Sequence, residues 1–222
     1  MATLLLVRHG ETDWNRSGQI MGARPIPLNQ RGEVQAETLA GFLRGYSAQH
    51  TKRSHDDDRP LPGFPPIGQD SCYLFSSPVQ RALQTARVLG EALALPVQTD
   101  SGLSEIGVGA WEGRYWNELG NDPNRLRFYS HPMEARPPGG ETFHEVQSRA
   151  VAALHRALNE QSSRTVILVS HADVIRAIIA HLLCIEPQQT RPMRIDHTSL
   201  TGITLSEDLP SLLFLNYVAA HF

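Results

Sequence analysis

The sequence is poor in the residues that build disulfide frameworks, nucleic-acid surfaces and membrane spans. Its 2 cysteines, Cys72 and Cys184, lie far apart and form no metal-type pair, so they fit a reduced, cytoplasmic setting, with a single disulfide left open. The formal net charge is −3 and there is no long basic tract, which argues against nucleic-acid or anionic-membrane partners. No apolar run approaches the ~18 residues of a membrane span, and the N-terminal run lacks the basic flank and the length of a signal peptide.

The chain does have enough apolar residues to build one sizeable core. Its 222 residues are 41% hydrophobic, which suits a single domain over 1–222 that carries an insertion. We place the insertion at about 46–71, where a charged run is followed by the proline-rich PLPGFPP. Such a composition predicts an exposed and mobile segment.

Several short apolar runs predict β-strands. The runs at 4–7 and 166–169 are continuous, which is typical of strands that are buried on both faces of a sheet. Further strands are expected at 73–75, 95–100, 200–205 and 212–218.

Helical patterns alternate with these runs. The expected helix starts are Asn29 as a cap, Ser77 as a cap with Pro78 at the first helical position, and a capping box of Thr142 and Glu145. The first of these helices is expected to run to about Leu43. Strands that alternate with helices predict an α/β fold, namely a three-layer α/β/α sandwich with a mainly parallel central sheet.

Basic and imidazole side chains follow three of the predicted strands. Arg8 and His9 end the first apolar run, Arg81 lies in the first turn of a helix, and His171 follows the run at 166–169. Because parallel strands place their carboxyl ends at one edge of the sheet, we expect these groups to converge there. Two arginines and two imidazoles repel one another unless an anion lies between them. The pattern therefore predicts a site for phosphate or another oxyanion.

Five segments resemble, in order, the motifs of the histidine phosphatase superfamily, which includes the cofactor-dependent phosphoglycerate mutases. They are LVRHGETDWN, SSPVQRALQTA, SEIGVGAWEG, PPGGETFHEVQSR and VSHADVIRAI. Together they span nearly the whole chain except the insertion. The resemblance implies a phosphoglycerate mutase-like α/β/α sandwich and phosphoryl transfer through a phosphorylated histidine.

The resemblance also implies a role for each matching position. His9 is the expected nucleophile, Glu105 the expected proton donor and His171 a second imidazole on the phosphoryl group. The side chains expected to bind the phosphoryl oxygens are Arg8, Asn15, Arg81 and His171. We expect no metal and no other cofactor, because an imidazole whose tautomer is fixed by a hydrogen bond can attack phosphorus by itself.

The residues after the expected proton donor distinguish phosphatases from mutases. Mutases of this family carry an ERHYG-like sequence there and a basic segment, whereas this chain reads EIGVGAWEGRYWNEL, which resembles the phosphatase branch. We therefore expect a cytoplasmic, metal-independent phosphatase of the histidine acid type that acts on small phosphate monoesters. The alternatives are a cofactor-dependent phosphoglycerate mutase and a non-catalytic phosphate-binding module. The expected partner is a small phosphorylated substrate, and a homodimer stays open.

Some positions depart from the family or have two interpretations. Many members carry two glycines after the second histidine, where this chain has Ala172 and Asp173. The carboxylate of Asp173 adds negative charge near the anion site unless it caps the helix. Aromatic side chains interpreted as lid packing are Trp111, Trp116, Phe128 and Tyr129. Arginines that either grip a second charged group or are solvated are Arg114, Arg125, Arg127 and Arg136.

Overall fold

A computed structural model describes residues 2–50, 64–65, 67, 72–159, 165–206 and 209–219. Its strands are β1 (Ala2–Arg8), β2 (Cys72–Ser76), β3 (Val97–Thr99), β4 (Thr165–Ser170), β5 (Leu200–Leu205) and β6 (Ser211–Tyr217). They form one sheet in the order β3-β2-β4-β1-β5-β6. The pairs from β3 to β1 are parallel, whereas β5 and β6 are antiparallel to their neighbours. The expectation of a mainly parallel sheet is confirmed.

Helices cover both faces of this sheet. They are α1 (Asp13–Ser17), α2 (Gln30–His50), α3 (Gln80–Leu93), α4 (Pro123–Ser130), α5 (Phe143–Asn159), α6 (Ala172–Leu182) and α7 (Pro187–Thr190). Alternate side chains of β1 enter two separate hydrophobic clusters. Leu4 and Leu6 pack with α5 and α6, while Leu5 and Val7 pack with α2 and α3. Burial on both faces explains why the run is continuously apolar, and it produces the expected three-layer α/β/α sandwich.

Most of the expected helix starts are confirmed, and one is wrong. The confirmed caps are Asn29 and the capping box of Thr142 and Glu145. Helix α3, however, begins at Gln80 with Val79 as its N-cap, so Pro78 is not its first helical residue. The hydroxyl of Ser77 accepts from the backbone N–H of Val79 at 3.2 Å and also contacts the ring of His171 at 2.8 Å. Ser77 therefore belongs to the turn before the helix and is shared with the site.

The expected insertion at about 46–71 falls mostly outside the described residues. Its described members Tyr46, Phe64 and Ile67 are buried, with exposed fractions of 5%, 1% and 4%. Helix α2 continues past its predicted end through Tyr46, whose hydroxyl donates to the carbonyl of Phe64 at 3.0 Å. Phe64 also stacks on Phe214 of β6 at 5.5 Å between ring centroids. The prediction of exposure is wrong for these residues, because they complete the core beside α2.

Two further findings concern the thiols and the helices. Cys72 is buried in β2, Cys184 is exposed, and both are free, so the disulfide that the sequence left open is not formed. Burial raises the pKa of the Cys72 thiol to about 12, which keeps it protonated and unreactive at neutral pH.

Among the described helices, none combines the length and the apolar content that a membrane crossing requires.

Candidate active site

The carboxyl ends of three adjacent parallel strands meet at one edge of the sheet. His9 follows β1, His171 follows β4 and Ser77 follows β2. The strand ladder continues into these residues, because the N–H of His9 donates to Ser170 at 3.0 Å and that of Ser77 donates to Val169 at 2.9 Å. The two imidazole rings lie 5.1 Å apart between centroids. The predicted convergence of the strand ends is therefore confirmed.

The ring of His9 is held in one tautomer by two hydrogen bonds. Its Nδ1 lies 2.7 Å from the carbonyl oxygen of Gly10, which can only accept a proton. The guanidinium Nε–H of Arg81 donates to its Nε2 at 3.1 Å. The proton of the neutral ring is therefore on Nδ1 and the lone pair is on Nε2. Burial and then the positive charge of Arg81 lower the pKa of His9 well below its ordinary value, so the ring stays neutral.

Glycines allow the turn after β1 to lie against helix α2. A Cβ on Gly10 would lie 2.5 Å from the carbonyl oxygen of Gly32, and a Cβ on Gly32 would clash with the backbone of Glu11. The N–H of Gly10 also donates to the hydroxyl of Thr85 at 3.1 Å. Any side chain at either glycine would push α2 away. This close approach of the two backbones therefore fixes the position of the turn that carries His9.

Arg81 is a fully buried cation that lies beside His9. It does not line the cavity that opens next to these residues. Besides its bond to His9, it donates to the carbonyl oxygens of Gly22 at 2.8 Å and Arg24 at 3.1 Å. Burial lowers its pKa to about 10, against the opposing effect of the Glu105 carboxylate, so it remains charged at neutral pH. Of its five N–H donors, three are given to these acceptors and two remain.

Arg8 and His171 carry buried polar atoms that have no partner among the described residues. Arg8 lines the cavity and donates through Nη1 to the carbonyl of Ile195 at 2.6 Å, while its Nε is unpaired. His171 binds Ser77 through Nε2, while its Nδ1 is unpaired and lies 3.8 Å from Oε2 of Glu105. Burial, and then the charges of Arg81 and Arg8, lower the pKa of His171 well below its ordinary value. Because unpaired buried polar atoms are costly, an acceptor such as an oxyanion would stabilise the Nε–H of Arg8, and also Nδ1 of His171 in the tautomer that protonates it.

Glu105 brings a carboxyl group into the same site. It lies just after a short 3-10 helix at Ser101–Leu103, lines the cavity, and its side chain is 15% exposed. Burial and then the negative charge of Asp173 raise its pKa to about 7, although Arg81 and Arg8 act in the opposite direction. A carboxyl group with this pKa can hold a proton near neutrality and can give it up.

An ion pair between Arg149 and Glu141 holds the loop that carries Glu105. Arg149 of α5 donates to the carbonyl oxygens of Gly102 at 2.9 Å, Ser104 at 2.6 Å and Glu105 at 3.1 Å. The same guanidinium binds both oxygens of Glu141 at 2.9 Å. Since bidentate arginine–carboxylate pairs are strong and directional, this network fixes the backbone of the Glu105 loop. Arg149 and Glu141 were not among the residues predicted from the sequence, although both lie in a segment that resembles the family.

A cavity of about 160 Å³ opens beside these groups. It is lined by four of the predicted site residues, namely Arg8, His9, Asn15 and Glu105. All four predicted lid aromatics line it too, and Trp111 packs edge-on against Phe128 at 5.8 Å between ring centroids. Trp111 is fully buried and Trp116 is partly exposed, and the four rings pack on one another along the wall, in agreement with the packing interpretation.

Asn15 reaches the cavity from the start of α1. Its Oδ1 accepts from the backbone N–H of Thr12 at 3.1 Å and from the Thr12 hydroxyl at 3.0 Å, which completes a capping box. The side-chain oxygen is thereby engaged, so the amide nitrogen is the atom left for a ligand. An amide nitrogen is a donor, as binding of an oxyanion requires.

The four arginines with two interpretations do not line this cavity. Arg114 pairs with Glu118 and Arg136 with Glu145 on the surface, while Arg125 donates to the carbonyl of Gly120. Arg127 lines a separate open groove. Arg125 also lies 5.5 Å from the ring centroid of Tyr129, so it stands next to a residue of the cavity wall without lining the cavity itself.

His197 is a neighbour of His9 that the sequence analysis missed. Its ring lies 5.9 Å from that of His9 between centroids, and its Nε2 is buried without a partner among the described residues. Burial and then the charge of Arg8 lower its pKa to about 3, so it is neutral. His197 lies just before β5, whose first residues reach this edge because β5 is antiparallel to β1. The missing signal was that an antiparallel strand brings its beginning, not its end, to the site.

The described residues contain no group of three or more histidine, cysteine or carboxylate side chains placed to hold a metal ion.

The Asp173 carboxylate does not cap α6, because one of its oxygens binds two arginines instead. Two guanidinium groups therefore offset the charge of this carboxylate, which lines the cavity.

Comparison with known proteins places this geometry in a family. A probable phosphoglycerate mutase GpmB from Yersinia enterocolitica is 30% identical over 209 residues, which cover 93% of this chain and 86% of that protein. A solved phosphoserine phosphatase from Entamoeba histolytica, in complex with phosphoserine, superimposes with a TM-score of 0.80 at 27% identity and covers 98% of both chains. The alpha-ribazole phosphatase from Shigella flexneri gives 0.77 at 27% identity, over 99% of this chain and 98% of that one.

The sequence profile of the histidine phosphatase superfamily (branch 1) matches residues 4–55 and 67–218. These two ranges include every residue that forms the site described above, and the solved structures superimpose on nearly the whole chain. The chain belongs to the histidine phosphatase superfamily.

Proposed function

We propose that this chain is a phosphatase that hydrolyses small phosphate monoesters through a phosphohistidine on His9. The observation that carries the proposal is the fixed tautomer of His9. Its Nδ1 donates to Gly10, so Nε2 keeps a lone pair on a ring that lines the cavity. A neutral imidazole with an oriented lone pair is the form that attacks phosphorus.

The phosphoryl oxygens would be bound by four side chains around His9. Arg8 and the Asn15 amide line the cavity, and the unpaired atoms Nε of Arg8 and Nδ1 of His171 would find an acceptor in the phosphoryl group. Arg81 donates to the same nitrogen that attacks. When Nε2 bonds to phosphorus, the Arg81 N–H loses that acceptor and would turn to a phosphoryl oxygen. Preorganised donors of this kind stabilise the charge of the transition state.

The reaction proceeds in two steps that balance. First, Nε2 of His9 attacks phosphorus, the ester P–O bond breaks, and the departing alkoxide takes the proton of Glu105. Second, a water attacks the phosphohistidine, gives its proton to the Glu105 carboxylate, and the P–N bond breaks to release phosphate and restore His9. A pKa of about 7 suits Glu105 to both roles, because one group must donate and then accept a proton.

We propose that this chemistry needs no metal ion. Arginine stays protonated in proteins, and Arg81 keeps a pKa of about 10 in the buried site, so Arg8 and Arg81 supply fixed positive charge next to the phosphoryl position. In many phosphoryl-transfer enzymes bound metal ions supply this charge.

A phosphoglycerate mutase is the second candidate, and the names of relatives such as the Yersinia enterocolitica protein favour it. A mutase must hold a substrate with two further anionic groups and must keep water from the phosphohistidine. In the described cavity wall the charged side chains are Arg8, Glu105 and Asp173. A second anion would therefore compete for the one arginine of that wall, which binds the phosphoryl group, because the two arginines beside Asp173 are already paired with its carboxylate. This arrangement supports the phosphatase over the mutase.

The experiment that tests the proposal compares phosphate release with isomerisation. With 3-phosphoglycerate, and with 2,3-bisphosphoglycerate supplied, we expect phosphate release to be faster than formation of 2-phosphoglycerate, because the described cavity wall offers no second cation. The same assay with a small alkyl phosphate should give the same rate in excess chelator and should be inhibited by vanadate, which resembles the transferring phosphoryl group. Both products are measured in one time course, by phosphate detection and by chromatography.

Isomerisation that outruns phosphate release would reassign the chain to the mutases. A chelator-sensitive rate that returns when a divalent metal is added would contradict the metal-independent chemistry. The absence of turnover on a broad panel of phosphate monoesters, together with tight binding of inorganic phosphate, would favour the non-catalytic phosphate-binding module.

A further inference from the structure

Asp173 is a carboxylate on the cavity wall that the proposed chemistry does not use. It lies in the first turn of α6, and its side chain is 22% exposed. Its Oδ1 accepts from Nη1 of Arg176 at 3.1 Å and from Nη1 of Arg191 at 3.4 Å. Its Oδ2 has no hydrogen-bond or ion-pair partner in the described part of the chain. One oxygen is thus anchored, and the other is available to a ligand.

The two guanidinium groups hold this carboxylate from behind. Arg176 also donates through Nε and Nη2 to the carbonyl of Met193, at 3.1 and 2.9 Å. The Arg191 guanidinium lies 4.7 Å from the ring centroid of Tyr129 and 4.9 Å from that of Phe128. Neither arginine lines the cavity, whereas Asp173 does. A ligand in the cavity therefore meets the carboxylate first, and the carboxylate has little freedom to turn away.

The cavity wall combines one cation with two carboxyl groups and a mostly apolar or aromatic lining. Arg8 lies beside His9 at the phosphoryl end. The rest of the wall is mostly apolar or aromatic, and its charged members are Glu105 and Asp173. The negative charge of Asp173 also raises the pKa of Glu105, which indicates that the two carboxyl groups lie close enough to interact.

We propose that Asp173 forms a leaving-group subsite that selects phosphate monoesters whose alcohol carries an ammonium or hydroxyl group close to the ester oxygen. The proposal rests on the phosphatase function argued above. A hydrogen-bond donor on the leaving group would satisfy Oδ2, and an ammonium would add charge attraction. A carboxylate or a second phosphate at that place would gain no hydrogen bond, because Oδ2 of a carboxylate can only accept. The aminated or hydroxylated alkyl phosphate is therefore the substrate class that this cavity fits best.

The test uses four alkyl phosphates of similar size that differ in one group: 2-aminoethyl phosphate, 2-hydroxyethyl phosphate, propyl phosphate and phosphoglycolate. Each is assayed with the wild type and with Asp173→Asn, which removes the charge and keeps the shape. Because each substrate is compared with itself, differences in leaving-group reactivity cancel. Because loss of the Asp173 charge lowers the pKa of Glu105, the values compared are taken from the plateau of each protein's kcat/KM profile, where the proton donor is fully protonated.

We expect Asp173→Asn to lower kcat/KM about 10-fold or more for 2-aminoethyl phosphate and less for 2-hydroxyethyl phosphate, since hydrogen bonds to charged groups are the stronger ones. The rate with propyl phosphate should change by less than about 2-fold, and phosphoglycolate should gain several-fold, because the asparagine amide can donate a hydrogen bond where Oδ2 of aspartate can only accept. Asp122→Asn is the matched control. Asp122 caps α4 outside the cavity, and asparagine caps equally well, so all four rates should stay as in the wild type.

Equal losses on all four substrates, or the largest loss with propyl phosphate, would overturn the subsite. If Asp173→Asn fails to fold, Asp173→Ser gives the same comparison. Inhibition constants against p-nitrophenyl phosphate hydrolysis by the wild type need no variant at all. There 2-aminoethyl phosphate should bind more tightly than phosphoglycolate, and the reverse order would also overturn the subsite. No turnover of p-nitrophenyl phosphate or of any alkyl phosphate would instead refute the phosphatase function, which separates the two failures.

Discussion

Replacement of His9 by alanine is expected to lower kcat/KM for a small alkyl phosphate by about 10⁴-fold or more, because removal of the attacking group leaves only binding and charge stabilisation by the remaining side chains. Among the described residues no other unprotonated imidazole is held in the same way. The neighbouring His171 has its Nε2 on Ser77. The measurement is steady-state phosphate release by His9→Ala at substrate concentrations well below KM.

The matched control is His144→Ala, since His144 is exposed on α5 and alanine suits a helix. It should keep the wild-type rate. His9 is buried, so the melting temperature of His9→Ala is measured beside its activity to show that the variant is folded. A folded His9→Ala enzyme within about 10-fold of the wild type would mean that another group, or water itself, attacks phosphorus.

Replacement of Glu105 by glutamine is expected to act on alkyl phosphates far more than on p-nitrophenyl phosphate. An alkoxide needs a proton as the P–O bond breaks, whereas nitrophenolate departs without one. A general acid contributes about 10²–10⁴-fold, so we expect a loss of that size for the alkyl substrate and less than about 10-fold for the aryl one. The rates compared are kcat/KM or single-turnover rates, because kcat can report hydrolysis of the shared phosphohistidine.

The pH profile of kcat/KM gives an independent measure of the same residue. The raised pKa of Glu105 is about 7, and the proton donor must be protonated, so the rate with an alkyl phosphate should fall as the pH rises through about 7. The groups that set this value are Asp173, which raises it, and Arg81 and Arg8, which lower it. His9 must be neutral, and because its pKa is well below the ordinary value, its loss lies on the acid side. Glu105→Gln should abolish the fall near pH 7.

Two controls accompany the measurements on Glu105→Gln. The phosphate ester has its own ionisation near about pH 6, which is identical for both proteins and cancels in the ratio of wild type to variant. Glu134→Gln changes an exposed carboxylate outside the cavity and should leave both the rate and the profile unchanged. Equal losses on the alkyl and aryl substrates would mean that Glu105 only supports its loop, and the proton donor would have to be sought elsewhere.

The central part of the fold and of the site was readable in the sequence because it depends on local patterns. The runs at 4–7 and 166–169 are apolar at every position, which only a strand buried on both faces requires. A histidine follows each run within two residues. Since parallel strands end at one edge, the sequence alone was enough to place His9 and His171 together.

Other parts of the site depend on contacts between distant segments, which no local pattern reveals. Arg149 holds the Glu105 loop by binding backbone carbonyls 44 to 47 positions away. His197 reaches the site only because β5 runs antiparallel to β1. Asp173 was recognised as an unusual charge, but its pairing with Arg191 joins α6 to the segment after α7 and could not be foreseen.

The errors at the edges of elements have a similar cause. Serine is a common helix cap, which is why Ser77 was predicted to cap α3. Its hydroxyl instead forms a hydrogen bond with the ring of His171, and the helix begins later at Gln80. The segment with Phe64 has the composition of an exposed linker. Its apolar side chain nevertheless packs on Phe214 of the last strand, a contact that depends on the completed sheet.

The most direct test of this account is to trap the phosphorylated enzyme. A radiolabelled alkyl phosphate is mixed with the wild type, quenched within milliseconds in base, and the labelled peptide is identified by mass spectrometry. We predict a base-stable, acid-labile label on the peptide that contains His9, formed before phosphate is released and absent from His9→Ala. A label on His171, or turnover of the alkyl phosphate without any labelled protein at any quench time, would contradict the proposed mechanism.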